Sequence, residues 1–319
     1  MSVRCVALSG GVGGAKLALG LSHVLPGDSL AVVVNTGDDF RHLGLAICPD
    51  LDTLLYTLAG RVSPDTGWGL RDEQWHCMAA LEELGGETWF RLGDRDLATH
   101  LARTARLDRG ARLTEVTAEL CAALGVATRV LPVSDDSIAT QVHTDAGVLP
   151  FQEYFVRRRA EPRVQAVKFA GAAAARPSPE VLAALHDDHL QAILVAPSNP
   201  YLSIDPLLAV PGFAAALRGA PVPVVAISPI VGGHALKGPT AKIMAELGIT
   251  ASALSVARHY QRWIDGFILD TCDEDMRADV EALGIKVHCC NTIMKTLDDR
   301  IELARAALEF ARDCQKRPQ

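Results

Sequence analysis

Val3-Arg4-Cys5-Val6-Ala7-Leu8-Ser9-Gly10-Gly11-Val12-Gly13-Gly14-Ala15-Lys16 is the stretch on which the fold turns. From Val3 to Leu8 it is a short, nearly continuous apolar run, as a strand buried on both faces of a parallel sheet requires. Ser9 and the glycines break that run. From Lys16 to Leu25 apolar residues recur at helical spacing, and Pro26-Gly27-Asp28 stops the helix. Leu30 to Val34 is a second buried strand, closed by Asn35-Thr36-Gly37-Asp38-Asp39. The segment reads as one β-α-β unit. Both polar, glycine-bearing stretches fall at strand C-termini, where open α/β sheets bind ligands.

The later chain repeats the pattern. Ala192 to Ala196 reads as a strand ending in Pro197-Ser198-Asn199-Pro200, and Val222 to Ile227 as another ending in Ser228-Pro229-Ile230-Val231-Gly232-Gly233. Strands are also expected at 126–131, at 266–270 and from Ile285 to His288, and an amphipathic helix at about 297–313. Roughly 50–125 reads as helical, with apolar periodicity in Leu51–Leu58, Cys77–Leu84 and Leu113–Leu124. Ala172-Ala173-Ala174-Ala175 reads as a connection into the next helix. The fold class is α/β: a doubly wound, mainly parallel sheet forming one domain over 1–319, with a mostly helical insertion at about 50–125.

Composition excludes several functions. The chain has 319 residues, of which 49% are hydrophobic, enough for a sizeable core and too many for a disordered protein. Thirty-one basic against 38 acidic residues leave a net charge of -7, which does not suit a nucleic-acid binder. Arg157-Arg158-Arg159 reads as a solvated face. No apolar stretch approaches the roughly 18 residues of a transmembrane helix. The N-terminus reaches its glycines by Gly10, too soon for a signal-peptide core. Cys5, Cys48, Cys77, Cys121, Cys272, Cys289, Cys290 and Cys314 form no CxxC pair, so free thiols in a reducing cytoplasm are expected.

The glycine segment brings backbone amides to the start of a helix, where they face an anion, and Lys16 adds a cation. It is neither a Walker loop, since Leu17 follows the lysine, nor GxGxxG, since Lys16 occupies the third glycine position. A tight turn packing helix on strand is the other reading. Asp38, Asp39, Asp50 and Asp52 are delivered to one region by two short loops. Some carboxylates there serve as helix caps; beside phosphates, others hold Mg²⁺. Further polar clusters stand at Arg91-Leu92-Gly93-Asp94-Arg95-Asp96 in a loop before a helix, at Ser134-Asp135-Asp136-Ser137, at Ser198-Asn199-Pro200 and at Ser228-Pro229. No GxSxG elbow and no HExxH pattern is present. Positioning and electrostatics without a covalent enzyme intermediate fit this inventory.

An ordered set of motifs resembles one known family. It comprises SGGVGGAKL (9–17), NTGDDF (35–40), GLAICPDLDTLLYTLAG (44–60), GWGLRDE (67–73), RLGDRDLATHL (91–101), LPVSDDSIAT (131–140), FQEYFVRRR (151–159), APSNPYLSIDP (196–206) and SPIVGGHALKGPTAKIM (228–244). Together they look like the 2-phospho-L-lactate transferase family of coenzyme F(420) biosynthesis. The resemblance implies a Rossmann-like core, Mg²⁺ and a homodimer. It also implies transfer of a phosphorylated small acid from a guanosine diphosphate-linked donor to the ribityl hydroxyl of the deazaflavin Fo, releasing GMP. The acid is 2-phospholactate, phosphoenolpyruvate or 3-phosphoglycerate.

Carried onto this chain, the resemblance implies that Asp52 and Arg91 contact Fo, with Asp94 beside them. Asp39 and Asp50 are candidates for Mg²⁺ or for orienting the hydroxyl, and Asp39, Asp50 and Asp52 form the catalytic set. Gly10, Gly11, Gly13, Gly14 and Lys16, with Ser134, Asp135, Ser198, Asn199, Pro200, Ser228, Pro229 and Gly232, would hold the nucleotide and its phosphates. Two readings compete. A non-catalytic nucleotide-sugar-binding regulator on the same core would share the glycine loop, but PDLD together with LGDRD favours the enzyme. A dinucleotide-dependent oxidoreductase lacks its third glycine here.

Overall fold

The computed structural model describes residues 4–235, 238–314 and 316. β1 (Cys5–Ser9) leads through α1 (Gly11–Val24) to β2 (Leu30–Val34). A hairpin of β3 (Phe40–His42) and β4 (Leu45–Ile47) follows, then α2 (Pro49–Leu58), α3 (His76–Glu83), α4 (Asp94–Leu107) and α5 (Leu113–Leu124). After β5 (Arg129–Pro132) comes an antiparallel sheet of β6 (Ala139–Thr144), β7 (Gly147–Pro150) and β8 (Val164–Ala170). α6 (Pro179–Leu185) precedes β9 (Ala192–Val195), and α7 (Asp205–Leu208) with α8 (Pro211–Gly219) precedes β10 (Val224–Ile227). The short β11 (Ile230–Val231) and β12 (His234–Ala235), α9 (Thr240–Glu246) and α10 (Ala253–Tyr260) lead to β13 (Gly266–Asp270). α11 (Arg277–Glu281), β14 (Lys286–Cys290) and α12 (Leu297–Asp313) follow.

The central sheet is seven-stranded in the order β14-β13-β10-β9-β1-β2-β5, and every neighbouring pair is parallel. The chain winds outward from β1 to β2 and β5, then returns to β9 on the other flank of β1. The strand order therefore reverses between β1 and β9, which marks their C-terminal ends as the ligand crevice. Strand alternation divides the core between the two faces. Val6, Leu8, Val33, Ile193 and Val195 pack towards α6, α8 and α10. Cys5, Ala7, Val32 and Leu194 pack towards α1, α2 and α12. This is the Rossmann-like, doubly wound arrangement expected. Among the described residues no single helix is long and apolar enough to cross a membrane.

Local differences have identifiable causes. α1 begins at Gly11 rather than Lys16, with Gly10 as an extended N-cap, so Gly11, Gly13 and Gly14 lie inside the helix. Gly11 takes φ +63° with its Cβ direction nearly open, whereas a Cβ on Gly13 would run into the Pro197 carbonyl. The strand expected at 126–131 is Arg129–Pro132, because Gly125 turns left-handed (φ 72°) at the end of α5. Pro223, without an amide hydrogen, delays β10 to Val224. Cys289 and Cys290 belong to β14, which runs past His288. Asp94 opens a helix rather than sitting in a loop. Val3, read as the start of the first strand, and Leu236 and Lys237 of the 228–244 motif lie outside the described residues.

Gly13→Ala is expected to cost about 1–3 kcal/mol through overpacking against a carbonyl that cannot move aside. Gly11→Ala meets only left-handed strain, about 1–2 kcal/mol. Urea denaturation of both variants tests the distinction, and a clearly larger loss at Gly11 would reverse it.

Candidate functional site

At the crevice, the β1 and β9 loops are stitched together. The Ser198 hydroxyl donates to the Gly10 carbonyl (2.8 Å) and accepts from the Gly10 amide (3.3 Å). Gly10, Gly13 and Gly14 are close-packed against Ser203, Pro197 and Ser9. Pro200 opens a π-turn at 200–204 whose amides at Tyr201 and Leu202 donate to Asn199 Oδ1 (3.0 and 3.1 Å). That pins the Asn199 amide, and its Nδ2 is left buried without a partner among the described residues. The Ser9 and Thr36 hydroxyls and Asp39 Oδ1 are likewise buried and unpartnered.

Asp50 joins the next two segments. It lies in the first turn of α2 behind Pro49, and its Oδ1 accepts from the Gly11 amide (2.7 Å). Its Oδ2 accepts from Asn35 Nδ2 (2.9 Å), and Asn35 Oδ1 accepts from the Gly37 amide (2.8 Å). Asp38 is buried beside them, with the Thr140 hydroxyl at 3.5 Å. Burial, then the charge of Asp50, pushes Asp38 well above the usual carboxylate range. Asp39 is also raised well above it by burial, against a hydrogen bond from Cys48 and the nearby Arg103 charge. Burial pushes Asp50 up to about 6. Hard oxygens that crowd one another in this way are the donor set that a divalent cation takes.

Asp52 faces a different neighbourhood. The Arg103 guanidinium from α4 pairs with both of its oxygens, through Nη2 to Oδ1 and through Nη1 to Oδ2 at 3.1 Å. Both residues are buried, at 5% and 1% exposure. Burial works against the Arg103 charge, yet Asp52 holds its pKa above the ordinary value. His100 lies 3.2 Å from Arg103 and 3.3 Å from Asp96, which also accepts from the Tyr56 hydroxyl (2.6 Å). Asp52, Asp96 and His100 have ligand atoms within 4.8 Å of one another, but the cation already among them is Arg103.

The structure thus joins Gly10, Gly11, Asp50, Ser198 and Asn199 with Asn35, Asp38 and Asp39, and links Asp52 to Asp39 through Arg103. Other residues singled out from the sequence make their hydrogen bonds elsewhere. Lys16 Nζ donates to the Met294 carbonyl (2.9 Å). Asp94 accepts from the His76 and Cys77 amides (3.1 and 3.0 Å) at the start of α3, while Arg91 lies over the Trp75 ring at 4.3 Å. Ser134 donates to the Arg176 carbonyl (2.6 Å), and Asp135 accepts from Thr114 (2.8 Å) and Arg112 (3.1 Å). Ser228 closes its own turn on Ile230 across Pro229 (2.7 Å), and the Gly232 amide is held by Asp273 (3.0 Å). Sequence reasoning missed Arg103. Its signal is that Leu97, His100, Arg103 and Thr104 share the buried face of α4.

Removing Arg103 leaves Asp52 as a buried, uncompensated charge. Arg103→Met is expected to destabilise by about 3–5 kcal/mol, and adding Asp52→Asn should restore part of the loss. Additive losses in denaturant titrations would refute the pairing. The acidic cluster gives a pH signature. A folded-state pKa above the unfolded one means that the native protein binds these protons more tightly. That contribution is full below the ordinary carboxylate range and is lost as pH rises through about 6 for Asp50. Asp38→Asn should therefore gain melting temperature relative to wild type as the pH is raised above the ordinary carboxylate range in chelator, because the wild-type carboxyl alone loses a proton that burial holds. A flat difference would contradict the reading.

Comparison with known proteins adds the family. Residues 5–296 match the family described as 2-phospho-L-lactate transferase CofD. A phosphoenolpyruvate transferase of Kitasatospora aureofaciens is 44% identical over 316 residues, covering 97% of this chain and 98% of that protein. A phosphoenolpyruvate transferase of Mycobacterium avium (strain 104) is 40% identical, over 97% of this chain and 99% of its own. A 2-phospho-L-lactate transferase of Methanosarcina mazei is 37% identical over 304 residues, covering 95% and 99%. A crystallised UPF0052-family protein from Bacillus halodurans superposes with TM-score 0.62 at 17% identity, over 97% of this chain and 99% of that one, a likeness of fold. With motifs, sheet and match all spanning the chain, it belongs to the 2-phospho-L-lactate transferase CofD family of transferases.

Proposed function

We propose that the chain transfers a phosphorylated small-acid group from a guanosine diphosphate-linked donor to the terminal ribityl hydroxyl of the deazaflavin Fo, in coenzyme F(420) biosynthesis. The hydroxyl oxygen forms a bond to the phosphorus next to the acid, the bond from that phosphorus to GMP breaks, and a phosphodiester results. The hydroxyl proton passes to the carboxylate cluster. The observation that carries this reading is the group of buried Asp38 and Asp50 with half-buried Asp39 at the β1/β9 switch point, Asp39 Oδ1 being buried and unpartnered among the described residues.

Asp39 and Asp50 are the residues we assign to Mg²⁺. When bound, the ion supplies charge neutralisation for the transferring phosphoryl group. The Gly11 amide and Asn35 hold Asp50 in orientation, so little reorganisation accompanies the reaction. Asn199 Nδ2 and the Ser9 and Thr36 hydroxyls offer hydrogen bonds that the protein itself leaves unmade. For the planar acceptor, Phe40 follows Asp39 directly and meets Phe90 edge-on (4.9 Å), next to Trp89 and His42. Arg91 stays in this reading as the residue contacting Fo. The homodimer is taken from the family alone, and the cytoplasmic setting rests on the unpaired spacing of the cysteines.

Phosphoenolpyruvate is the favoured acid. The relatives at 40–44% identity bear that name, while those named for 2-phospho-L-lactate stand at 37–38%. Discrimination among such small acids is expected to amount to about 1–3 kcal/mol. Purified protein with Fo, Mg²⁺ and each of the three guanosine-linked donors should form a charged Fo adduct and GMP, fastest with the phosphoenolpyruvyl donor. No adduct with any of them would sink the proposal.

A further inference from the structure

One cavity has the opposite sign to the carboxylate cluster. It lies between the start of α1, the end of α2, the turn that follows and the first residues of α12, and its lining includes Val12, Lys16, Thr57, Ser63, Lys295 and Arg300. Lysine and arginine line it and no carboxylate does, in a chain of net charge -7. Asp299 stands outside this lining: its carboxylate accepts the Lys295 and Thr296 amides (2.9 and 2.7 Å) and caps α12, while its charge still reaches Lys295 and Arg300. Lys16 Nζ is anchored to the Met294 carbonyl, which ties α1 to the segment carrying Lys295.

Arg300 adds an independent sign of a missing partner. Its Nε is buried and has no hydrogen-bond partner among the described residues. Burial draws its pKa below the ordinary value. An anion completes such a donor, and a guanidinium suits carboxylate or phosphate geometry. The cavity also adjoins the candidate site, since Val12 directly follows Gly11, whose amide binds Asp50.

We propose that this cavity is an anion subsite for the carboxylate or phosphate of a small phosphorylated acid. Its assignment to the acid end of the donor rests on the transfer reading above; anion binding itself does not. To an acid the strand-end cluster offers carboxyl oxygens rather than a cation of its own, whereas the cationic cavity attracts it. The pair of sites gives a substrate with a phosphate and an acid two addresses and a fixed direction.

Calorimetric titration of the full chain with inorganic phosphate, phosphoenolpyruvate and 3-phosphoglycerate, without Fo, tests the subsite. Saturable binding is expected, weakened by about tenfold or more in Arg300→Gln and in Lys295→Gln, as for loss of one charge from an ion pair. Lys295 is exposed, so an unchanged melting temperature in Lys295→Gln separates lost binding from lost folding. No saturable binding to wild type, or binding that both variants retain, overturns the proposal. Displacement of bound phosphate by a guanosine-linked donor assigns the subsite to the donor, and simultaneous binding assigns it to a free anion. Because binding is read without turnover, failure of the transfer reaction and failure of the subsite are distinguishable.

Discussion

Asp50 gathers three separate parts of the chain onto one buried carboxylate: the first amide of α1, the side chain that closes β2, and the start of α2 itself. Asn35, which serves one of its oxygens, also reaches the Leu202 carbonyl (3.3 Å) and so draws the β9 loop towards the others. A carboxylate is tolerated in such a place only while its lone pairs are used, and each buried polar group left unmatched costs about 1–3 kcal/mol. The strand-end loops are therefore rigid together or not at all. Their rigidity fixes the unpaired atoms around them.

Charge is distributed here by territory. The strand ends hold carboxyls whose pKa burial raises, α4 supplies one buried cation to Asp52, and Lys16, Lys295 and Arg300 face the space between α1 and α12. The two faces of the sheet are each closed by an apolar cluster, one under α1, α2 and α12 and the other under α6, α8 and α10.

Residues buried on both faces of a sheet announce themselves, which is why Leu30–Val34 and 266–270 could be read as strands to the residue. α12 and α5 were equally legible, through helical apolar spacing. β6 was not: four of its six residues over Ala139–Thr144 are polar, and two of those, Thr140 and Thr144, stand on its buried side, so its alternating burial leaves no apolar alternation to read. The glycines were visible but ambiguous, because a glycine signals either a special φ or a lack of room, and only the neighbours decide which. Asp94 and Asp135 show the same ambiguity for strand-end and loop carboxylates, since capping a helix and holding a ligand call for the same side chain. Arg103 hid in an arginine-rich helix because its partner stands half a hundred positions upstream, |i−j| = 51.

That last pairing bears on how such a chain can change over generations. α2, which carries Asp52 and frames the crevice, and α4, which carries Arg103, both lie between β2 and β5, so the crevice helix takes its counter-ion from a later helix of the same segment. A lineage cannot exchange α4 for another decoration and keep Asp52 unless the replacement brings its own cation to the same spot. The two helices are thus locked into joint drift, and recombination breakpoints between residues 52 and 103 carry a penalty that breakpoints outside them escape.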